Sequence, residues 1–261
     1  MQPDAGACCS ACSKHESCNT WVYCSNTTCS GGSRKQGECW LKKAAAPALP
    51  TVSAQGASVG WTSGALFGPA DASEALAKAE KEEAERDAVR WAPGNPTVFL
   101  DVSIDDGPAE RMEFVLFMGT SPRAAENFLG LCRGDRGVST GEGAGKKRTF
   151  VGSVFYRILD QFIDQAGANV DSVFGGAFKD DAGGLALKHN RKGLLSMANG
   201  GPDTNTSHFS IMMAPAPHLD GSYTIFGELV SGWEVAARIN KLASPSGAPM
   251  GKVVIVAAGQ L

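Results

Sequence analysis

The feature that most constrains folding is a cluster of cysteines near the start of the chain. Seven of the eight cysteines lie between Cys8 and Cys39, and only Cys132 stands apart. So many cysteines in a segment too short for a large hydrophobic core are typical of a small fold held by disulfide bonds. Such bonds form in an oxidising compartment, so the cluster favours the secretory pathway, the cell exterior or an organelle lumen over the cytosol.

Zinc binding is the alternative for these cysteines. Cys9 and Cys12, together with Cys24 and Cys29, could supply four thiolates. However, four residues separate the second pair, where a zinc ribbon usually has two, and three cysteines would be left over. We therefore favour disulfides. Seven is an odd number, so one thiol stays free, pairs elsewhere, or pairs with a cysteine outside this chain.

Length and charge narrow the classes of protein to which this chain could belong. A chain of 261 residues with 43% hydrophobic residues predicts one sizeable core and a smaller unit. A net charge of −3 argues against nucleic-acid binding over the whole chain. Residues 146–148 are the one basic run in the C-terminal part, and we expect them in a solvated loop. No apolar stretch approaches the ~20 residues that span a bilayer, and residues 1–4 show no leader. We expect a soluble protein. The pattern at residues 26–28 is a glycosylation acceptor.

The cysteine-rich segment is predicted to form one module, residues 1–67. Its spacing of cysteines, together with Trp21, Tyr23 and Trp40, resembles that of the PAN/Apple family, and Gly60-Trp61-Thr62-Ser63-Gly64 resembles that family's closing strand. The resemblance implies a disulfide-stapled module that binds a protein or a carbohydrate and has no catalytic residues. We expect the three aromatic residues to form its small core, and a family-typical first strand is expected to be missing.

The next segment, residues 68–94, is predicted to be a charged helical linker. Residues 71–91 are rich in Ala, Glu, Lys and Arg, and Pro93 marks the stop. Asp71 and Glu74 resemble a capping box, and Glu74/Lys78 and Glu82/Arg86 are favourable i,i+4 pairs. A solvated spacer helix about 30 Å long is the prediction, and a partner-binding amphipathic helix is the alternative.

The last segment, residues 95–261, has the pattern of a β-barrel. Two β-rich runs, residues 98–104 and 111–117, flank a turn at residues 105–108 and predict a hairpin. Helices are predicted over residues 122–131, capped by Ser121, and over residues 233–242. Four short apolar runs follow at residues 194–197, 209–213, 223–226 and 253–256. Evenly spaced strands with two helices predict a closed antiparallel barrel, a mainly β fold.

Residues 155–227 carry the strongest functional signal. Arg157 stands among aromatic and aliphatic residues, and the sequence shows no nucleophile, metal cluster or phosphate loop beside it. This combination suits a reaction in which no stable bond is made or broken. We therefore expect neither a metal nor a cofactor.

The last segment, residues 95–261, resembles the cyclophilin family of peptidyl-prolyl cis-trans isomerases along its whole length. The resemblance is carried by Asn95-Pro96-Thr97-Val98-Phe99, Ala125-Glu126-Asn127-Phe128, Phe155-Tyr156-Arg157-Ile158, Gly193-Leu194-Leu195-Ser196-Met197-Ala198-Asn199, Leu219-Asp220-Gly221 and Ala258-Gly259-Gln260-Leu261. It implies a closed eight-stranded barrel capped by two helices and an outer groove that binds X-Pro segments of protein or peptide clients.

The resemblance also implies roles for individual residues. The catalytic residues implied are Arg157, Gln165 and Asn199, with Arg157 as donor to the prolyl nitrogen. The residues implied to bind substrate are Phe162, Ile163, Ala198, Gly200, His208, Ser210, His218, Leu219 and Tyr223.

Several of these residues depart from the family pattern. Ser210 replaces a second aromatic wall, which predicts a wider and less apolar proline pocket that Met212 or Met213 would partly refill. His218 replaces a common tryptophan, which affects cyclosporin binding. Tyr223 replaces a histidine, and His208 replaces a glutamine. The glycine-rich loop is shortened to residues 168–171, and residues 134–147 form a longer loop near Cys132, for which we expect a lone, buried, inert thiol.

Three functions remain open from the sequence. The first is an active prolyl isomerase that assists folding of lumenal or secreted proteins, with the N-terminal module bringing it to a partner. The second is a proline-peptide binding module with weak or no isomerase activity, suggested by Ser210 and the shortened loop. The third is a lectin-like or scaffold component of a larger assembly.

Overall fold

The computed structural model describes residues 4–14, 18, 20–24, 28–29, 34–36, 38–42, 61–65 and 69–261. Contacts divide the chain into two units, residues 1–85 and 86–261. The predicted boundaries at residues 67 and 95 stay a prediction. Within the described residues, no helix has the length and apolar character needed to cross a bilayer.

The N-terminal unit is a short helix beside a small antiparallel sheet. Its elements are α1 (Ala5–Ser13), β1 (Thr20–Cys24), β2 (Thr28–Cys29), β3 (Arg34–Lys35), β4 (Cys39–Lys42) and β5 (Trp61–Ala65). Strand β1 is central and pairs with both β4 and β5, so the predicted closing strand is confirmed. Helix α1, which the sequence analysis did not predict, begins where the Asp4 carboxylate accepts a hydrogen bond from the Ala7 amide.

Disulfide bonds hold this unit together, as predicted. Cys8 is bonded to Cys39, Cys12 is bonded to Cys18, and Cys24 is also disulfide-bonded. Cys9, half-buried on α1, is a free thiol among the described cysteines and accounts for the odd number.

The small core of this unit consists of aromatic rings and sulfur atoms. Trp21 and Tyr23 are buried against Cys8 and Cys12, which confirms the core role of these two aromatic residues. The side chain of Trp40 and the glycosylation pattern at residues 26–27 lie outside the described residues.

The linker helix α2 spans Pro69–Arg90. It begins two residues before Asp71, so Asp71 is not its N-cap and the capping-box prediction is wrong. Exposed pairs Lys78–Glu82 and Lys81–Glu85 lie along it.

The last turn of α2 is fixed to the second unit. The Asn95 side-chain amide donates to the carbonyls of Val89 and Arg90, which closes the helix end. Arg90 also contacts the buried Glu228 carboxylate, and Val89 packs on an apolar cluster of the barrel. The final turn is therefore packed rather than solvated.

The second unit is a closed barrel of eight antiparallel strands, as predicted. The strands are β6 (Thr97–Ile104), β7 (Glu110–Leu116), β8 (Val154–Leu159), β9 (Ile163–Gly167), β10 (Leu194–Met197), β11 (His208–Met212), β12 (Ile225–Ser231) and β13 (Val253–Gln260). Their order around the barrel is β10-β11-β9-β8-β13-β6-β7-β12. The β6–β7 hairpin turns through Asp105 and Asp106, which both adopt positive φ, a conformation that Asp tolerates better than most residues.

The helices of this unit are α3 (Pro122–Arg133), α4 (Ala182–Ala186) and α5 (Trp233–Asn240), with a 3₁₀ turn at Pro217–Leu219. Helix α3 inserts Phe128 into the barrel core, where its ring contacts those of Phe114, Phe150, Phe209 and Phe226. Ser121 occupies the N-cap position, but the prediction that its side chain caps α3 is wrong. Its hydroxyl donates to the Ile225 carbonyl, and the Asp181 carboxylate accepts the Ala124 amide instead.

Candidate active site

The site begins as one row of residues across four neighbouring strands. Arg157 on β8 pairs with Gln165 on β9, Gln165 pairs with Ser210 on β11, and Ser210 pairs with Ser196 on β10. Because side chains alternate along a strand, this row lies on the outer face while neighbours such as Ile158 and Ile211 lie in the core.

An irregularity in β8 adds Tyr156 to this face. The register shifts between Phe155, which pairs with Ala166, and Arg157, which pairs with Gln165. One extra residue therefore stands in β8, as in a β-bulge. Tyr156 and Arg157 are both exposed as a result, although they are adjacent in sequence.

The row borders an inner cavity of about 130 Å³. Its lining residues are Arg157, Phe162, Ile163, Gln165, Ser196, Met197, Ala198, Asn199, Ser210, Met212, Leu219 and Tyr223. The guanidinium Nη1 of Arg157 donates to Gln165 Oε1 at 3.4 Å. A fixed cation therefore stands beside a small cavity with apolar walls.

Two further contacts shape the walls of the inner cavity. His218 lies outside the lining and packs its ring on that of Phe162, with centroids 5.3 Å apart. Met212 lines the cavity, as expected for a residue that refills space beside Ser210, whereas Met213 packs against the main barrel core. The predicted extra width of the pocket stays a prediction.

A buried hydrogen-bonded chain lies behind this cavity. Ser196 Oγ is 2.9 Å from His189 Nε2, and His189 Nδ1 is 3.2 Å from Asp220 Oδ1. Burial lowers the pKa of His189, although Asp220 opposes the shift. The neutral ring then donates to Asp220 through Nδ1–H, and its Nε2 accepts a hydrogen bond from the Ser196 hydroxyl.

This Asp220–His189–Ser196 chain was missed by the sequence analysis, which found no nucleophile beside Arg157. The Ser196 and His189 residues are each about 1% exposed, so neither presents a reactive atom to solvent. Asp220 also accepts the His189 backbone amide and directly follows Leu219. These hydrogen bonds therefore link the Leu219 wall of the inner cavity to β10.

A second, side cavity of about 330 Å³ adjoins the first and shares Gln165, Ala198 and Asn199 with it. Its lining is mostly polar: Tyr156, Gln165, Asn169, Ala198, Asn199, Gly200, Thr204, Thr206 and His208. The Tyr156 hydroxyl lies 3.0 Å from His208 Nδ1. This pair of side chains belongs to the side cavity and does not line the inner one.

The longer loop, residues 134–147, is fixed to the shortened loop by Asp171. The carboxylate of Asp171 receives two hydrogen bonds from Arg148 and one from the Ser139 hydroxyl. These donors hold the pKa of Asp171 well below its usual value, with Arg148 as the main cause. Arg148 is therefore half-buried in an ion pair, and the prediction that the whole basic run is solvated is wrong for this residue.

Cys132 is buried and free, and burial raises its pKa well above the usual value, so the thiol is protonated and unreactive as predicted. Elsewhere in the described part of the chain, no group of His, Cys, Asp and Glu could hold a metal ion.

Eleven of the twelve residues predicted for the site lie at the two cavities. Nine line the inner cavity, Gly200 and His208 line the side cavity, and His218 stands behind Phe162. Their roles stay predictions. Tyr156, Asn169, Thr204 and Thr206 were missed, because the sequence alone does not reveal the β8 irregularity or the turn that brings the threonines there.

A closed barrel capped by helices, with an arginine beside a small apolar cavity on its outer face, defines the class of peptidyl-prolyl isomerase barrels. The family model for cyclophilin type peptidyl-prolyl cis-trans isomerase/CLD matches residues 99–260. The chain belongs to this family. The family model for the PAN domain matches residues 1–42, in keeping with the disulfide-bonded N-terminal unit.

Proposed function

We propose that the barrel catalyses cis-trans isomerisation of X-Pro bonds in protein clients, and that the PAN module binds a protein or glycan that brings the enzyme to them. One observation carries the proposal: the Arg157 guanidinium, held by Gln165, lines a cavity whose walls include Phe162 and Leu219. A proline ring fits the size and apolar character of such a cavity.

The chemistry requires little more than this arrangement. Rotation about an X-Pro bond loses amide resonance against a barrier of about 18–20 kcal/mol. In the twisted transition state the prolyl nitrogen becomes pyramidal and basic. A guanidinium that donates to this nitrogen stabilises the twisted state more than the planar one, and this difference lowers the barrier. Arginine side chains stay charged in proteins, so a guanidinium donor acts without proton transfer.

The backbone at Asn199 supplies a docking edge for the client. The Asn199 side chain bonds to Asn205 Oδ1 and to the Gly201 amide. No hydrogen bond joins the Asn199 backbone N–H or C=O to any residue that the structure describes. These two groups are free to pair with the residue before the proline, in the manner of an added strand.

Replacement of Arg157 tests the proposed chemistry. We expect Arg157→Ala to reduce kcat/KM on an Ala-Pro reporter peptide by about 10²-fold or more, because one transition-state donor is lost. Arg157→Lys retains the charge but not the rigid donor arrangement, and we expect partial activity. The matched control is Arg133→Ala, an exposed arginine on α3 outside both cavities. Undiminished turnover by Arg157→Ala would refute the role of Arg157.

A second candidate is proline-peptide binding with weak isomerase activity. It is favoured by Ser210 and Ser196, which put two hydroxyl-bearing residues in the lining of the inner cavity. Under this alternative the wild type binds X-Pro peptides with little acceleration, and Ser210→Phe restores turnover by adding an apolar wall. If the wild type is already fast and Ser210→Phe slows it, the alternative is excluded.

The proposal also covers the ligand of the N-terminal module and the compartment of the protein. The two assigned disulfides support an oxidising compartment such as the secretory pathway. The full chain should capture a protein or glycan ligand that the double variant Cys12→Ser/Cys18→Ser loses, while reporter turnover stays the same. Equal capture by both proteins would contradict binding through the module and leave the isomerase proposal standing.

A further inference from the structure

The side cavity is placed to read a residue before the proline. This inference rests on the proposed function. If the proline ring occupies the inner cavity and the preceding residue pairs with Asn199, the client runs extended across the shared edge of both cavities. Alternate side chains of an extended chain face the same way, about 6.6–6.8 Å apart. The side chain two residues before the proline then faces the side cavity.

His208 has a fixed position in the wall of this cavity. It pairs with Gly167 across β11 and β9, and its ring lies directly over that glycine. A Cβ atom added at Gly167 would stand 2.1 Å from His208 Nδ1, so only glycine leaves room for the ring. The imidazole is therefore seated on the sheet.

Tyr156 is the hydrogen-bond partner of one ring nitrogen of His208. Partial burial raises the pKa of Tyr156 to about 12, although Arg157 and a hydrogen bond from Gln165 oppose the shift. The hydroxyl is thus protonated at working pH and can donate to Nδ1 of the neutral ring, 3.0 Å away. In that arrangement the neutral ring has its proton on Nε2.

Protonation reverses this arrangement. An imidazolium donates through both nitrogens, so Nδ1–H points at the tyrosine oxygen and the hydroxyl proton of Tyr156 must turn elsewhere. The side cavity then gains a positive charge and a free O–H donor. Both changes favour an anionic side chain.

One carboxylate competes for a charge on His208. The Glu142 carboxylate of the longer loop is 3.9 Å from Nε2, within ion-pair distance but beyond hydrogen-bond distance, and its side chain is 49% exposed, so water screens the pair. From β8 the ring contacts Tyr156, and from β9 it lies over Gly167. The Asp171 carboxylate of the shortened loop is already paired with Arg148.

We propose that His208 makes the side cavity a pH-dependent selector of client sequence. With His208 neutral, the cavity accepts neutral polar side chains and acidic ones alike. With His208 protonated, it prefers a carboxylate two residues before the proline. The substrate class at acidic pH is therefore an acidic X-Pro segment.

A ratio of two reporter peptides tests the selector in the full chain. The peptides Ala-Glu-Ala-Pro-Phe and Ala-Gln-Ala-Pro-Phe differ only in charge, and the free glutamate side chain stays ionised above about pH 5.5. We expect the Glu/Gln ratio of kcat/KM to rise as the pH is lowered from about 8 to about 5.5, because histidine side chains become charged in this range. The rise should be about two- to fivefold, which is the size expected for a partly exposed ion pair. Added salt of about 1 M should reduce the rise.

Three variants test which residues cause the rise in the Glu/Gln ratio. In His208→Gln the ratio should not change with pH, and in Tyr156→Phe the rise should be smaller, because the charge remains but the hydroxyl donor is gone. Glu142→Gln should enlarge the rise, because the competing carboxylate is removed. Glu234→Gln, an exposed change on α5 outside both cavities, is the charge control.

The outcomes are separable from those of the proposed function. A constant ratio in the wild type, or an equal rise in His208→Gln, overturns the selector while turnover of both peptides still supports the isomerase. If neither peptide is turned over, the isomerase proposal fails. The ratio of the dissociation constants of the two peptides, measured at the same two pH values, then tests whether His208 selects the acidic peptide.

Discussion

The two units of this protein reach a defined structure by different physical means. The N-terminal unit has a core of Trp21, Tyr23 and buried sulfur atoms, and the Cys8–Cys39 disulfide joins its helix to β4. The barrel has a continuous core of many apolar side chains centred on Phe128, and it contains no disulfide. A short segment cannot bury enough apolar surface to offset its conformational entropy, whereas a barrel of this length can.

The same difference governs where function can lie. The barrel holds its strands rigidly enough to place Arg157, Gln165 and Asn199 at one edge, while its outer face keeps cavities open. The N-terminal unit can lose or gain a bridge with the redox state of its surroundings. Four predictions test this contrast, beginning with the largest effect.

Reduction of the disulfides should give the largest difference in stability between the two units. Loss of a disulfide from a small domain costs about 2–5 kcal/mol, so a reductant should unfold the N-terminal unit and leave the barrel folded. Hydrogen exchange should show loss of protection in β1, β4 and β5 and unchanged protection in β6–β13. Cys9→Ser is the matched control to Cys12→Ser, because Cys9 is free and Cys12 is bonded. Equal loss of protection in both units would contradict the comparison.

Truncation of the central aromatic ring should destabilise the barrel alone. Phe128→Ala removes contacts with four rings whose centroids lie 4.8–6.3 Å away, and we expect a loss of about 3–5 kcal/mol in its free energy of unfolding. Denaturant titration measures the loss. Phe174→Ala, at a residue 46% exposed, should cost less than about 1 kcal/mol. Similar losses for the two variants would argue against a core centred on Phe128.

The barrel core also contains a carboxyl group, Asp164, which should weaken it at neutral pH. Asp164 is fully buried, its Oδ1 accepts from Asn240, and its Oδ2 has no hydrogen-bond partner among the residues that the structure describes. Burial raises its pKa to about 7, although the Asn240 bond opposes the shift. The folded state therefore binds a proton more tightly than the unfolded state does, and stability falls as pH rises from about 4 to about 7.

Asp164→Asn removes this titration. We expect the variant to gain stability over the wild type at about pH 8, by about 4 kcal/mol at most from a shift of about three pH units. Below about pH 3 the gain should vanish, because the wild-type carboxyl is then protonated in both states. Chemical denaturation at the two pH values gives the comparison, and a gain that is the same at both would refute the pKa assignment.

The smallest expected effect concerns the junction of α2 with the barrel. Burial raises the pKa of Glu228, but hydrogen bonds from Arg191 and Arg90 outweigh it and leave the pKa below its usual value. Glu228→Gln should cost about 1–3 kcal/mol, because two arginines lose their anionic partner. Faster hydrogen exchange in the last turn of α2 is the expected sign. The exposed control Glu234→Gln should leave that exchange unchanged.

Much of the barrel could be predicted because its signals are local. The predicted hairpin at residues 98–117 and the helix beginning at Pro122 match the structure closely, since turn residues and apolar periodicity act within a few positions. The helix caps were less predictable. Asp181 caps α3 from 57 residues away, and no local pattern announces such a partner.

The sequence by itself determined which residue types are available: a cysteine cluster that bonds within itself, a chain of short strands, and one arginine among apolar residues. The tertiary structure decided what these residues do together. Closure of the barrel placed Arg157, Gln165, Ser210 and Ser196 in one row, and the irregularity in β8 turned Tyr156 toward His208. Burial shifted the pKa values of His189 and Asp164. Register and burial are properties of residues distant in sequence, so only the folded chain specifies them.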